Sequence, residues 1–497
     1  MSSGASSVLR ALHVASEMAP LIKMGGLGDV VGALPHTMLE LGIDGRILLP
    51  LWPGVLETLQ EMGISTSRES EKVHVSLNWR VYSGEILSAL VHGIQVYLLD
   101  QPELFQNPRI YPPETTEESV LPFVFLSYAA LELEKVINWR PHVIHAHDWP
   151  GAFLPGALQW HRHYKQHHGH YDTVLTLHNM AHQCVVKRSA LESWGFEPEA
   201  FSVGAMEFYG QVNVLKGGIN AAGAVTTVSP QYSWEIQTMK GGFGLDGVLI
   251  QNRSKLRGIL NGIDYEIWNP AEDPHLPKPY TAKNLGGKRA CRKALLERTG
   301  LPEENRPIFI FVSRLVEQKG IDLILGSMEA LLKKNIQLLI LGSGHEAVER
   351  AFQEEVRRFP GQVWLHTGFS EPLAHLLYAG GDFLLMPSLF EPCGLSQLIA
   401  MRYGTIPVVR AVGGLSDTVL DVEGAPEDGN GFVFLDYSGE ELLKAVSRGL
   451  ALYDKPKEWK ALVSRNMEVD FSWRRSARLY QQLYNALLEG TPVTLAV

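Results

Sequence analysis

The run Lys23-Met24-Gly25-Gly26-Leu27-Gly28-Asp29 follows a short apolar stretch and opens a helical pattern through Val30, Val31, Leu34 and Met38. Glycines let backbone N–H groups approach an anion closely, and a helix N-terminus adds about half a positive charge. The run therefore reads as a diphosphate cradle, or else as a tight turn that only packs helix on strand. It is not a P-loop, because the G-x-x-x-x-G-K-[ST] spacing is absent. A second turn, Ser313-Arg314-Leu315-Val316-Glu317-Gln318-Lys319-Gly320, again lies where an apolar run gives way to a helical one. Arg314 offers a planar fork for phosphate oxygens and Lys319 a mobile point charge, so together they could neutralise a leaving diphosphate without a metal. Two solvated surface cations would look the same.

Gly342-Ser343-Gly344 opens another turn after an apolar run. It reads as part of a nucleotide subsite or as a helix-packing turn. A dinucleotide-binding reading is poor, since Gln362 stands about where an acidic residue would hold a ribose. Pro387-Ser388-Leu389-Phe390-Glu391-Pro392-Cys393-Gly394-Leu395-Ser396 places one carboxylate between a strand and a helix start. Glu391 could stabilise a sugar cation or bind sugar hydroxyls, or could cap the helix; Cys393 reads as a small structural residue. His145-Ala146-His147-Asp148-Trp149 and His178-Asn179 both end apolar strands. Alternation puts His145 and His147 on one side, which suits a metal, but sequence supplies no third ligand. Directional hydrogen bonds to a sugar fit these residues better, with a satisfied core histidine as the alternative for His145. No D-x-D triplet occurs, which counts against a nucleotide held through a divalent cation.

The elements that must position these groups follow from the pattern. Short apolar strands alternate with amphipathic helices, the signature of parallel sheets covered on both faces. Strands are expected at residues 12–15, 45–50, 143–146, 174–177 and 224–228, then at 308–313, 338–341, 363–367, 383–386 and 406–409. Helices are expected over 117–136, 321–334, 345–358 and 395–403. Pro270 to Gly287, with four prolines and little periodicity, reads as the linker. The 497 residues thus form two doubly wound Rossmann-like α/β domains, residues 8–272 and 288–472, facing across a cleft. A further amphipathic helix is expected over 473–490.

Composition bounds the class. Hydrophobic residues make up 45% and charged residues 20%, typical of globular proteins. A net charge of −10 argues against coating nucleic acid or an anionic membrane, and implies that phosphate-binding groups are concentrated locally. Cys184, Cys291 and Cys393 lie far apart, so no disulfide framework or cysteine zinc site is suggested. The histidine run from His161 to His170 reads as a solvated helix end and loop. Residues 1–7 are Ser/Gly-rich without an apolar signal core, and no run suits a membrane span. A cytoplasmic protein is expected, although a mature organellar protein would look the same.

Taken in order, these segments resemble glycosyltransferase family 5, the glycogen and starch synthases. The resemblance begins at Leu12-His13-Val14-Ala15-Ser16-Glu17 and runs through the Lys23 turn, His145 to Trp149 and His178-Asn179. It continues through Lys240 to Gly247, Asn261 to Asp264, Ser313 to Gly320, Phe390 to Gln397 and Gly413 to Val419. It implies a GT-B fold, with the 473–490 helix packing back on the first domain, and retaining transfer of glucose from ADP-glucose to the non-reducing end of an α-1,4-glucan, such as glycogen, starch or a maltooligosaccharide. It implies Lys23, His178, Arg314, Lys319 and Glu391 as catalytic residues. Donor-binding residues would be Gly25, Gly26, Gly342, Ser343, Gly344, Phe369, Cys393, Gly394, Leu395 and Ser396, with Phe369 stacking near the adenine. Glu17, Asp29, Asp148 and Asn179 would contact sugar or acceptor. No cofactor or metal is implied, and oligomerisation is left open. Two departures stand out. Where relatives read Y-Q-G, this chain has His182-Gln183-Cys184, which puts the acceptor-side loop in doubt because Cys resists the positive φ that Gly permits. Where many relatives in the wider fold carry a second Glu, this chain has Ile399 and no role is assigned.

Overall fold

The computed structural model describes residues 8–77, 79–107 and 109–492. The Ser/Gly-rich start, residues 1–7, lies outside them. The chain divides into two compact units. Among the described residues, one comprises 8–228, 233–261 and 473–492, and the other 229–232 and 262–472.

The first unit is built on a ten-stranded sheet. Its parallel part runs Leu256–Gly258, Ala224–Thr227, Asp172–Leu177, Val143–His147, Arg10–Val14, Asp44–Pro50 and Ile94–Asp100. These strands are near-continuous apolar runs, as expected where both faces are covered. The Val143–His147 and Asp172–Leu177 strands are buried at almost every position. From Arg10–Val14 the chain builds outward through Asp44–Pro50, then reverses to Val143–His147 on the other side. That reversal is the switch point of the sheet, where ligands meet the carboxyl ends of strands. Sequence reading missed an antiparallel edge made by Thr66–Arg68, Val73–Leu77 and Arg80–Val91.

Trp473–Leu488 forms a helix of this same unit. Trp473, Ala477, Tyr480, Leu483 and Tyr484 share one face and are buried with Val30, Leu34, Val143, Val174 and Ile259. Ser476 Oγ donates to the Leu260 carbonyl at its start.

The second unit holds a six-stranded parallel sheet in the order Val363–Thr367, Gln337–Gly342, Ile308–Val312, Phe383–Met386, Ile406–Arg410 and Phe432–Phe434. Its switch point lies between Ile308–Val312 and Phe383–Met386. The helix Ile321–Leu332 presents Ile321, Ile324, Met328, Leu331 and Leu332 to the core at helical spacing.

The Pro270–Gly287 stretch is not a linker. It lies within the second unit, which the chain enters at Gly262. Leu276 and Tyr280 are buried in that unit's core, and Tyr280 donates to the Tyr403 carbonyl at 2.8 Å. Prolines make the segment irregular without freeing it. Most expected strands and helices form within one to four residues of their expected ends. No helix among the described residues is long and apolar enough to cross a membrane.

Candidate active site

In the first unit the site residues collect just beyond the strands at the switch point. Glu17 follows the Arg10–Val14 strand, Asp148 follows Val143–His147, and His178 follows Asp172–Leu177. Glu17 is 2% exposed, and burial raises its pKa above the usual carboxylate value. Its carboxylate accepts from the amides of Met24 at 2.6 Å and Gly25 at 3.0 Å, and from Tyr111 Oη at 2.7 Å. The glycine turn is thus an anion cradle whose first two amides already hold an internal carboxylate. Gly26 opens the helix Gly26–Glu40, so its amide has no carbonyl one turn back to bond. Lys23 reaches forward to Asp29, with Nζ 2.6 Å from Oδ1. Asp29 is thus ion-paired with the lysine and remains partly exposed.

Asp148 has φ +51, and its carboxylate accepts from the His178 amide at 2.6 Å and from the Asn179 amide. Burial raises its pKa to about 7, against which the two amides pull. Asn179 Oδ1 accepts from the Ala181 amide at 3.0 Å, which closes the turn after His178. Asp148 and Asn179 thus define the path of the backbone that presents His178.

Behind His178 lies a layer of buried imidazoles. His178 Nε2 is 3.0 Å from His147 Nδ1, and His147 Nε2 is 3.2 Å from His13 Nδ1. His145 is held separately, with Nδ1 2.7 Å from Tyr484 Oη and Nε2 2.5 Å from Thr176 Oγ1. Burial lowers the pKa of His13 and of His178 to about 3, and those of His145 and His147 well below the ordinary value. The third imidazole that sequence could not assign is His13, with donor atoms of His13, His145 and His147 within 4.8 Å of one another. Both nitrogens of His145 and of His147 are already engaged in hydrogen bonds, His147 with His13 and His178 and His145 with Tyr484 and Thr176. In the histidine run, His161 is buried, while His163, His168 and His170 are exposed.

The departure at His182-Gln183-Cys184 is absorbed. Cys184 is buried at φ +58, the left-handed conformation otherwise favouring glycine. Gln183 braces the loop by donating to the Met180 and Phe243 carbonyls, each at 3.0 Å, and accepting from Asn213 Nδ2 at 2.7 Å.

In the second unit Lys319 and Glu391 meet at the switch point. Lys319 Nζ lies 2.8 and 2.6 Å from the two Glu391 oxygens, with the side chains 15% and 6% exposed. Ser388 Oγ donates to Glu391 at 3.0 Å. Glu391 does not cap the following helix, which starts at Ser396 with Leu395 at its cap position. The two turns are tied together: Leu389 N donates to the Gln318 carbonyl at 2.9 Å, and Arg410 Nη1 donates to the Ser388 and Leu389 carbonyls at 3.0 and 2.8 Å. Gly320, at φ +73, is required there because a Cβ would sit 2.1 Å from the Pro387 carbonyl oxygen. Arg314 is exposed.

Gly342 and Gly344 serve packing, since Cβ atoms would fall 1.9 and 2.2 Å from the Ser313 and Leu315 carbonyl oxygens. Leu315 N donates to the Ser343 carbonyl at 2.7 Å, so this turn supports the one carrying Arg314. Phe369 is 79% exposed, free to present an aromatic face. Cys393 is buried, and Gly394 and Leu395 lead into Ser396, whose Oγ donates to the Val312 carbonyl at 3.3 Å. Sequence reasoning missed Tyr111, Ser388 and His13. Ser388 stood inside a quoted motif and His13 on the first strand, whereas Tyr111 lies in an irregular stretch with no signal.

Two parallel α/β units, each with its charged and glycine-rich turns at the switch point of its sheet, define the GT-B class of glycosyltransferase. Residues 10–251 match the family described as the starch synthase catalytic domain, and residues 294–462 match glycosyl transferases group 1. Glycogen synthase 2 of Geobacter metallireducens is 41% identical over 485 residues, 97% of this chain and 99% of that protein. Glycogen synthase of Geobacillus stearothermophilus is 39% identical over 491 residues, 98% and 99% of the two chains. The solved catalytic domain of starch synthase IV from Arabidopsis thaliana, bound to ADP and acarbose, superposes with a TM-score of 0.90 at 34% identity, covering 97% of this chain and all of that one. The chain belongs to the glycogen and starch synthase family.

Proposed function

We propose that this protein is a retaining glucosyltransferase that moves glucose from ADP-glucose to the non-reducing end of an α-1,4-glucan. The observation that carries the reading is the largely buried Lys319–Glu391 pair, its lysine on the same turn as exposed Arg314, within a chain that matches glycogen synthases along nearly its whole length. The starch synthase relative solved with ADP and acarbose supports a nucleotide and a glucan as the two partners.

The acceptor 4-hydroxyl attacks the anomeric carbon on the face from which the diphosphate leaves, through an oxocarbenium-like state. Arg314 and Lys319 stabilise the charge developing on the leaving phosphates. Lys23 and the first amides of its helix contribute the same kind of field. Glu391, held by Lys319 and Ser388, places a carboxylate where positive charge develops on the sugar, and the departing phosphate oxygen takes the acceptor proton. His178 and Asn179 contact the transferring glucose. Phe369 stacks on the adenine, with Gly342 to Gly344 and Cys393 to Ser396 shaping the donor subsite. No step calls for a metal.

Removing one preorganised donor of this kind costs about 3 kcal/mol, roughly a hundredfold in rate. The test supplies glycogen with ADP-glucose or UDP-glucose and follows chain growth. Growth with ADP-glucose, and its loss by about a hundredfold in Lys319→Ala, is the expected result. Transfer only from UDP-glucose, only to a non-glucan acceptor, or near-wild-type turnover in Lys319→Ala would overturn the assignment.

A further inference from the structure

The buried imidazoles behind His178 form a chain whose direction can be worked out. A neutral imidazole has one donor and one acceptor nitrogen. His13, His147 and His178 are all held neutral by burial, which lowers each pKa far below 7. In the sequence His13 Nδ1, His147 Nε2, His147 Nδ1, His178 Nε2, only two arrangements avoid a head-on clash of two N–H groups or two lone pairs. Either every proton points from His13 toward His178, or every proton points back.

The far end decides between them. Among the described residues, nothing hydrogen-bonds to the buried His13 Nε2. If the protons pointed back, that atom would carry a buried N–H with no acceptor, the rarer and more costly defect. If they point forward, it carries only a bare lone pair, which proteins tolerate more often. His145 does not compete for the chain, because its own nitrogens face Tyr484 and Thr176. Strand pairing sets the alignment, since His13 and His145 lie opposite each other in the parallel register and the His147 ring stacks over His145 at 4.4 Å.

We propose that His13 and His147 are positioning residues that hold His178 as the Nδ1–H tautomer, so that it offers a neutral N–H donor, and not a lone pair, to the substrate. The substrate group so recognised is a hydrogen-bond acceptor, a sugar hydroxyl oxygen. This rests on the reading of His178 as a sugar contact, but the tautomer itself can be read without any activity.

The experiment records long-range 1H–15N correlation spectra of the full chain labelled with 15N-histidine, with the His178 signals assigned by their loss in His178→Gln. The wild-type protein is expected to show His178 protonated on Nδ1. His147→Phe, which removes the donor, should release His178 to a mixture or to the Nε2–H form and lower kcat by up to about tenfold, the worth of one neutral hydrogen bond, with little change in KM. His147→Asn, whose Nδ2–H can donate from the same place, should restore both the tautomer and most of kcat. A wild-type Nε2–H pattern, or a His178 pattern indifferent to His147→Phe, would overturn the inference. Full turnover in His178→Ala beside an intact Nδ1–H pattern in the wild type would instead overturn the sugar-contact reading and leave the positioning role standing.

Discussion

The Lys319–Glu391 pair gives the sharpest quantitative test, because its two side chains are 15% and 6% exposed and their contact is bidentate. Replacing Lys319 by Met leaves Glu391 with Ser388 as its remaining side-chain donor; replacing Glu391 by Gln leaves the ammonium without a counter-charge. Breaking a buried pair from one side costs about 3–5 kcal/mol, and the residual exposure of Lys319 places this one at the lower end. For a unit of this size 1 kcal/mol moves the melting temperature by about 2–4 °C, so each single substitution should lower it by about 6–12 °C. Removing both partners leaves no orphaned charge. The double variant should therefore be more stable than the sum of the singles, with a coupling of about 2 kcal/mol in calorimetric melts of the full chain. Inorganic diphosphate should raise the melting temperature of Glu391→Gln more than that of the wild type, because it supplies the missing negative charge to Lys319. An additive cycle, with coupling below about 0.5 kcal/mol, would refute the claim that the pair is desolvated and cooperative.

Three further outcomes follow from the first unit. Burial raises Asp148 from 3.8 to about 7, so between those values the folded state holds a proton that the unfolded state has lost, and stability falls as pH rises. Asp148→Asn keeps an acceptor for the His178 amide and tolerates positive φ, so its free energy of unfolding should match the wild type near pH 4 and exceed it above pH 7, by at most about 4 kcal/mol; a difference independent of pH would show that the carboxyl is not perturbed. Cys184 has φ +58, so Cys184→Gly should be more stable than Cys184→Ala by about 1 kcal/mol in urea titrations, since only the glycine relieves the left-handed strain. Tyr484→Phe leaves buried His145 Nδ1 without its 2.7 Å partner and should cost about 1–3 kcal/mol; an unchanged urea midpoint would mean that this bond does not help seat the C-terminal helix.

What could be read from the chain and what could not separate along a physical line. Strands such as Ile308–Val312, buried on both faces, announce themselves as apolar runs, and the turns at their carboxyl ends carry glycines and charges that nothing in a core would tolerate. The Val73–Leu77 strand, alternately buried and exposed beside a long antiparallel partner, has only a weak local signal and was missed. Pro270–Gly287 was misread because composition registers irregularity, whereas the side chains of Leu276 and Tyr280 decide burial. Lys319 and Glu391 were each legible, but their contact spans 72 residues and only the sheet brings them together. Glu17 is a local case: its partners, only seven and eight residues on, are the very amides read as open to a phosphate. This last point changes the electrostatic argument. Lys23 is paired with Asp29, the Met24 and Gly25 amides with Glu17, and Lys319 with Glu391, so much of the local positive field in each unit is already met by a carboxylate of the same unit. Under the proposed function a phosphate there would compete with internal anions rather than fill a bare cationic pocket. In a chain of net charge −10 such pairing keeps lysines and amides in place against their own desolvation, and it makes the affinity for a diphosphate a difference between two charge-assisted sets of bonds. Under the proposed function Arg314, exposed just beyond its strand, would make the first contact with the diphosphate.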